Sequence, residues 1–227
     1  MKLPKIIFGI STEEAYKRAM SREDNGEKKK EIITIGSALN LDNDNYIYVP
    51  SINLYVAKEK VLHNKDWNNT HKALQKQNQR MLTIPQFVSF INYLRNDYQD
   101  RKEAESILDE ILTVRSPWRS EWLDAYFEKR NDGLYVLTDN RTNSEKLESY
   151  LTEDKTPGID LDSWLDNPTK QGLPDKNIPK GKLYYWSPVN GRVAGFGAGS
   201  DRAVLYCYRD PQDSYSDLGV RPCVAPR

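Results

Sequence analysis

The sequence predicts an α+β protein in which two or three helices accompany short, irregular strands. Apolar residues alternate with period two early in the chain and recur at helical spacing in the middle. Alternation then returns within a final third punctuated by glycine and proline. The chain of 227 residues is 38% hydrophobic and 11% aromatic, a globular composition with room for a sizeable core.

Residues 6–10 and 32–35 are short β-prone runs. Residues 11–22 between them read as a helix, with Ser11 or Thr12 as N-cap and Glu13 and Glu14 in the first turn. Ile47, Val49, Ile52, Leu54 and Val56 alternate with polar or aromatic neighbours, and Pro50 breaks the phase. Residues 1–60 thus form a strand-rich segment expected to share a domain with residues 61–227.

The middle of the chain reads as helical. Thr83-Ile84-Pro85-Gln86 is a capping-box pattern, and Phe87, Phe90, Ile91, Leu94 and Tyr98 follow on one stripe. A second helix carries Ile107, Leu108, Ile111 and Leu112. Pro117 interrupts, and Trp118, Trp122 and Tyr126 begin a third. These stripes read as core. Residues 133–137 are a strand candidate, 147–151 a short helical patch, and Asp160 a cap for a short helix around Trp164. From Thr156 onward Pro and Gly cut the chain into loops, until Leu183-Tyr184-Tyr185-Trp186 offers another strand.

Charge and motifs exclude several classes of function. Lys plus Arg and Asp plus Glu both number 33, so no global field draws nucleic acid or an anionic membrane. Lys28, Lys29 and Lys30 lie between Glu27 and Glu31 and read as a solvated loop. No run approaches the ~20 apolar residues of a membrane span, so no membrane insertion is expected. No segment resembles a signal peptide, which points to a cytoplasmic or virion-associated location. Gly195-Phe196-Gly197-Ala198-Gly199-Ser200 lacks the lysine and the context of a phosphate loop. Neither a zincin helix motif nor a nucleophile elbow occurs. Asp42-Asn43-Asp44-Asn45 lacks the glycine and terminal glutamate of a calcium loop and reads as a polar turn. Cys207 and Cys223 read as free thiols with a bridge possible, and His63 and His71 are far from them in sequence. No catalytic residue, metal site or cofactor is expected.

The last stretch differs in composition from everything before it. From Ser187 to Arg227 there is no Lys, Glu, Trp, Met, Ile, Thr or His. Strand geometry places Val204, Tyr206, Tyr208 and Asp210 on one face and Leu205, Cys207 and Arg209 on the other. The same alternation sets Gly195, Gly197 and Gly199 against Phe196, Ala198 and Ser200. The first set reads as a varied surface on which the glycines leave shallow space, and the second as scaffold.

The order Arg192-Val193-Ala194-x-Phe196-x-Ala198-x-Ser200-Asp201-Arg202-Ala203-x-Leu205-x-Cys207-x-Arg209, with Ser214 and Leu218-Gly219-Val220-Arg221-Pro222, resembles the variable region of diversity-generating-retroelement target proteins. These are C-type-lectin-fold proteins, some of archaeal and archaeal-virus origin. The Leu-Gly-Val-Arg-Pro ending is also similar to formylglycine-generating-enzyme-type lectin folds. Weaker similarity at 121–127 and 183–186 extends the resemblance over about residues 80–227. The resemblance implies a C-type lectin fold, helices packed on short antiparallel strands, with a variable region at about 187–222. It implies a display protein that binds varied ligands, protein or glycan, and is not an enzyme. Its ligand-binding residues would be Gly195, Gly197, Gly199, Val204, Tyr206, Tyr208, Asp210, Asp213, Tyr215 and Asp217. Among these, Tyr206, Tyr208 and Tyr215 would be aromatic anchors. In that family, adenine replacement in Asn codons yields Tyr, Asp, Gly, Ser, Val, Cys, Phe, Ala or Arg, but not Lys, Glu, Trp or Met. Gln212 falls outside this code. Two alternatives remain: a formylglycine-generating-type oxidase on the same fold, and a calcium-dependent lectin with Asp166-Asn167-Pro168 as its one hint.

Overall fold

A computed structural model describes residues 6–7, 10–11 and 44–226. The chain divides into two compact units, Met1–Asn43 with Arg227 and Asp44–Pro226. In the first, β1 (Ile6–Ile7) and β2 (Ile10–Ser11) pair antiparallel. Of the helix expected at 11–22, Ser11 belongs to β2, and residues 12–22, the run at 32–35 and the lysine cluster lie outside the described residues.

The second unit is a mixed α and β structure built on two sheets. The smaller has the order β3 (Tyr46–Val49), β4 (Leu54–Ala57), β14 (Pro222–Val224), β5 (Arg80–Met81), all antiparallel. The chain's last strand thus fits between two of the unit's early ones. Pro50 starts a 3-10 turn between β3 and β4, and Asn53 closes it in the left-handed conformation that asparagine tolerates.

The larger sheet runs β8 (Asn143–Lys146), β7 (Gly133–Thr138), β6 (Arg119–Arg130), β11 (Val193–Ala198), β12 (Ala203–Arg209), β10 (Leu183–Trp186), β9 (Lys155–Ile159). β13 (Leu218–Val220) lies beside the first half of β6. Pairing is antiparallel except for β10 with β12 and β13 with β6.

The helix expected from Trp118, Trp122 and Tyr126 is instead the twelve-residue strand β6. A spacing of four is near one helical turn but also twice the strand period, so these residues share a face in either structure. The patch at 147–151 is likewise not helical. The Leu147 amide bonds Leu134 O at 2.8 Å, and Leu151 forms an isolated bridge with Asp175.

Four helices complete the unit. α1 (Trp67–Gln75), which the apolar pattern did not reveal, is capped by Asp66, whose carboxylate accepts from Asn69 N at 2.8 Å. α2 (Ile84–Asn96) starts with the expected capping box. Thr83 Oγ1 accepts from Gln86 N at 3.4 Å, and Gln86 Oε1 accepts from Thr83 N at 3.1 Å. α3 is Arg101–Leu112. α4 (Leu161–Asp166) is capped by Asp160, which accepts from Ser163 N at 2.8 Å. Tyr98 lies just past the end of α2, with its hydroxyl donating to Glu103 Oε2 at 2.5 Å.

The inner face of the large sheet packs on α2, α3 and α4. Phe87 meets Phe196 at 5.2 Å between ring centroids, and Trp164 stacks on Phe196 at 6.3 Å. Leu123, Phe127, Tyr185, Leu205 and Cys207 lie in the same buried cluster. A second cluster covers part of the outer face, where Trp67 and Leu74 of α1 meet Trp122, Val193, Leu218 and Val220. The remainder of the outer face, over β10 and β12, carries partly exposed side chains.

Candidate ligand-binding face

Strand alternation decides which side chains reach this outer face. On β10, Leu183 and Tyr185 are buried in the inner core, which leaves Tyr184 and Trp186 outward and half-buried. On β12, Leu205 and Cys207 are fully buried inward, Tyr206 is half-buried, and Tyr208 is 39% exposed. Register sets the rows. Trp186 lies beside Tyr206, which lies opposite Gly195. Tyr184 lies beside Val204, which lies opposite Gly197.

These rings form a continuous chain. Trp118 and Tyr206 are 6.3 Å apart, Tyr206 and Tyr208 5.7 Å, and Tyr208 and Trp186 5.3 Å, all in tilted or edge-on arrangements that aromatic quadrupoles favour. Two arginines flank the chain. The Arg202 guanidinium lies 5.4 Å from the Tyr184 ring, and that of Arg209 lies 4.9 Å from Tyr206 and 5.6 Å from Trp122. Burial pushes the Tyr206 phenol up, while the charges of Arg209 and Arg202 pull it down.

Arg209 corrects the alternation argument, which put it on the scaffold face. The register slips between Gly195↔Tyr206 and Val193↔Arg209, so β12 carries one extra residue there. A one-residue bulge flips every later side chain to the opposite face, and Arg209 emerges beside Tyr206.

The glycines and Val204 are placed differently from the expectation. All four are buried. A Cβ on Gly195 would stand 3.3 Å from Arg209 Cδ, and one on Gly197 3.0 Å from Trp118 Cζ2. The space above the glycines is therefore filled by Arg209 and Trp118 and is not a shallow surface. Val204 is 0% exposed, belongs to neither apolar cluster, and lies beneath the face between Tyr184 and Gly197.

The remaining expected residues lie on the loop 210–217. Asp210 pairs with Arg192 and accepts from Gln212 N at 2.9 Å. The Gln212 amide first, and then Arg192, hold its carboxyl below the usual range. Tyr215 is 51% exposed and donates to Asp213 Oδ1 at 3.2 Å. The loop is tied to the start of α1 by Trp67 N to Pro211 O at 3.0 Å and Asn64 N to Tyr215 O at 3.1 Å. Asp217 O accepts from Ser120 N at 2.9 Å.

Sequence reasoning did not assign Trp118, Tyr184, Trp186, Arg202 or Arg209 to this surface. Alternation in Leu183-Tyr184-Tyr185-Trp186 carried the signal for two of them. Nothing local signalled Trp118, which arrives from a segment far away in the chain.

Cys207 and Cys223 are buried free thiols on different sheets. Burial pushes Cys207 well above the ordinary thiol range and Cys223 up to about 12. Thiolate chemistry is suppressed in such surroundings. Neither thiol is expected to react with a soluble disulfide reagent in the native protein, and both should react once urea unfolds it. Rapid native labelling would contradict this placement. Asp166 and Asn167 are accounted for by the end of α4: Asp166 stands 3.6 Å from Arg95 Nη1, and Asn167 N donates to Ser163 O at 3.1 Å. Among the described residues no group of three or more His, Cys, Asp or Glu is placed to hold a metal ion, and no helix is long and apolar enough to cross a membrane. No protein-family model matches the chain, and no curated protein or solved structure matches it.

Proposed function

We propose that this is a ligand-binding display protein with a C-type lectin fold, whose segment at about 187–222 is diversified by a retroelement to bind protein or glycan. The observation that carries the reading is the division of β12. Leu205 and Cys207 are fully buried, while Tyr206 and Tyr208 stand outward in a row of aromatic rings. Side chains on the outer side can therefore change without repacking the inner core. Partly exposed tyrosine and tryptophan on a rigid sheet, with arginine beside them, match the composition of binding hot spots. Two long helices packed on a largely antiparallel sheet, and a last strand that pairs with early ones, support the lectin-type reading.

The experiment is to sequence the DNA flanking the gene. A near-copy of the segment for residues 187–222 is expected beside a reverse transcriptase gene. Its differences should fall at template adenines, in codons for Gly195, Gly197, Gly199, Val204, Tyr206, Tyr208, Asp210, Asp213, Tyr215 and Asp217. No copy, or differences scattered over all four bases, would sink the proposal.

A further inference from the structure

Gly199 follows the last residue of β11, its amide bonded to Arg202 O at 2.8 Å. It does not sit in the left-handed region, so its backbone accepts a side chain. The obstacle is elsewhere. A Cβ there would sit well inside contact distance of Trp118 Cε3, 2.7 Å from Cζ3 and 3.1 Å from Cδ2. Carbon atoms pack at roughly 3.5–4.0 Å, so the indole and a Cβ at 199 exclude each other. All three nearest atoms belong to this one ring. Gly197 differs, because a Cβ there would also meet Ser120 Cβ at 2.9 Å and Arg119 O at 3.1 Å, which are anchored in β6.

We infer that residue 199 sets the position of Trp118 and thereby the relief of the candidate binding face. With glycine the indole lies on the sheet, covers Gly197 and closes the aromatic row beside Tyr206. With any other residue the indole is lifted, uncovering the Tyr206 edge and projecting a large ring toward the partner. Trp118 is half-buried on the segment before β6 and lies outside residues 187–222. It is thus a specificity-determining residue of constant identity and variable position. The consequence is nearly binary, because glycine alone among the residues reachable from a varied Asn codon has no Cβ. The functional meaning of this coupling rests on the proposed binding role of the face. The coupling itself is measurable without any ligand, so a missing template copy would defeat that role and leave this result standing.

The test labels the full chain with 5-fluorotryptophan and follows its five indole resonances by fluorine NMR. Trp118→Phe assigns the Trp118 signal. Gly199→Ala is expected to shift that signal alone and to raise its broadening by a soluble nitroxide several-fold. An unmoved Trp118 signal overturns the inference, as does a shift of all five signals, which would mean a distorted sheet. A thermal comparison covers poor folding of the single variant. Gly199→Ala should lower the melting temperature in the native background and leave it nearly unchanged in a Trp118→Ala background. Equal losses in both backgrounds overturn the inference.

Discussion

Arg221→Ala is expected to destabilise the protein by about 3–5 kcal/mol, the usual cost of breaking a buried ion pair from one side. Arg221 is 1% exposed at the junction of β13 and β14. Its Nη1 donates to Ala57 O at 3.1 Å and to Lys58 O, and its Nη2 donates to Glu110 Oε2 at 3.2 Å. Its Nε stands 3.4 Å from Glu121 Oε2, an ion pair that is not closed as a hydrogen bond. Lys60 holds the other oxygen of Glu110 at 2.7 Å. One guanidinium therefore joins β4, α3, β6 and the end of the chain. Alanine would leave Glu121, only 3% exposed, with no counter-charge, and two backbone carbonyls without their donor. The loss is a large share of the ~5–15 kcal/mol that typically holds a domain together. Urea unfolding of Arg221→Ala and of Arg221→Ala/Glu121→Gln separates the two causes. The second change removes the stranded charge and should recover part of the loss. A cost below about 1 kcal/mol for Arg221→Ala, the level of an exposed ion pair, would show that the network is dispensable.

The sequence shows Arg221 as one letter of a resembling motif but not what it holds, because its partners are brought from 57–58, 110 and 121 by the fold. Local rules were legible where the cause is local. The Thr83–Gln86 box and the Asp160 cap sit where side chain and backbone meet within three residues. The two faces of β12 follow from the period of a strand as far as Tyr208. Beyond that the bulge, fixed by pairing with β11, reverses Arg209, and no pattern within β12 announces an inserted residue. α1 went unseen because its buried positions include Thr70 and His71 beside Trp67 and Leu74, so the stripe is too polar to read. The spacing in β6 fits two periods at once and needed its neighbours to decide. The glycines of β11 are legible as gaps, but only the tertiary structure supplies Trp118 and Arg209 to fill them.

The division of β12 into a packed and a displayed side predicts unequal tolerance to substitution. Leu205 is 0% exposed among the residues packed under the sheet. Leu205→Ala should leave a cavity and cost about 2–5 kcal/mol, with the spread set by how far the surroundings collapse. Tyr208 is 39% exposed, and its ring meets only the edges of Trp186 and Tyr206 among the aromatic contacts. Tyr208→Ser should stay within about 0.5 kcal/mol of the parent, as surface changes do. Tyr206→Ser should fall between them, since that ring also carries Arg209 and borders Trp118. Urea unfolding measures all three, and the slopes should agree while the midpoints separate, because the unfolded chain changes little. If Tyr208→Ser costs as much as Leu205→Ala, the outer side is packing and not display. If the order reverses, the register of β12 is off by one residue and each binding assignment on the strand moves to its other face.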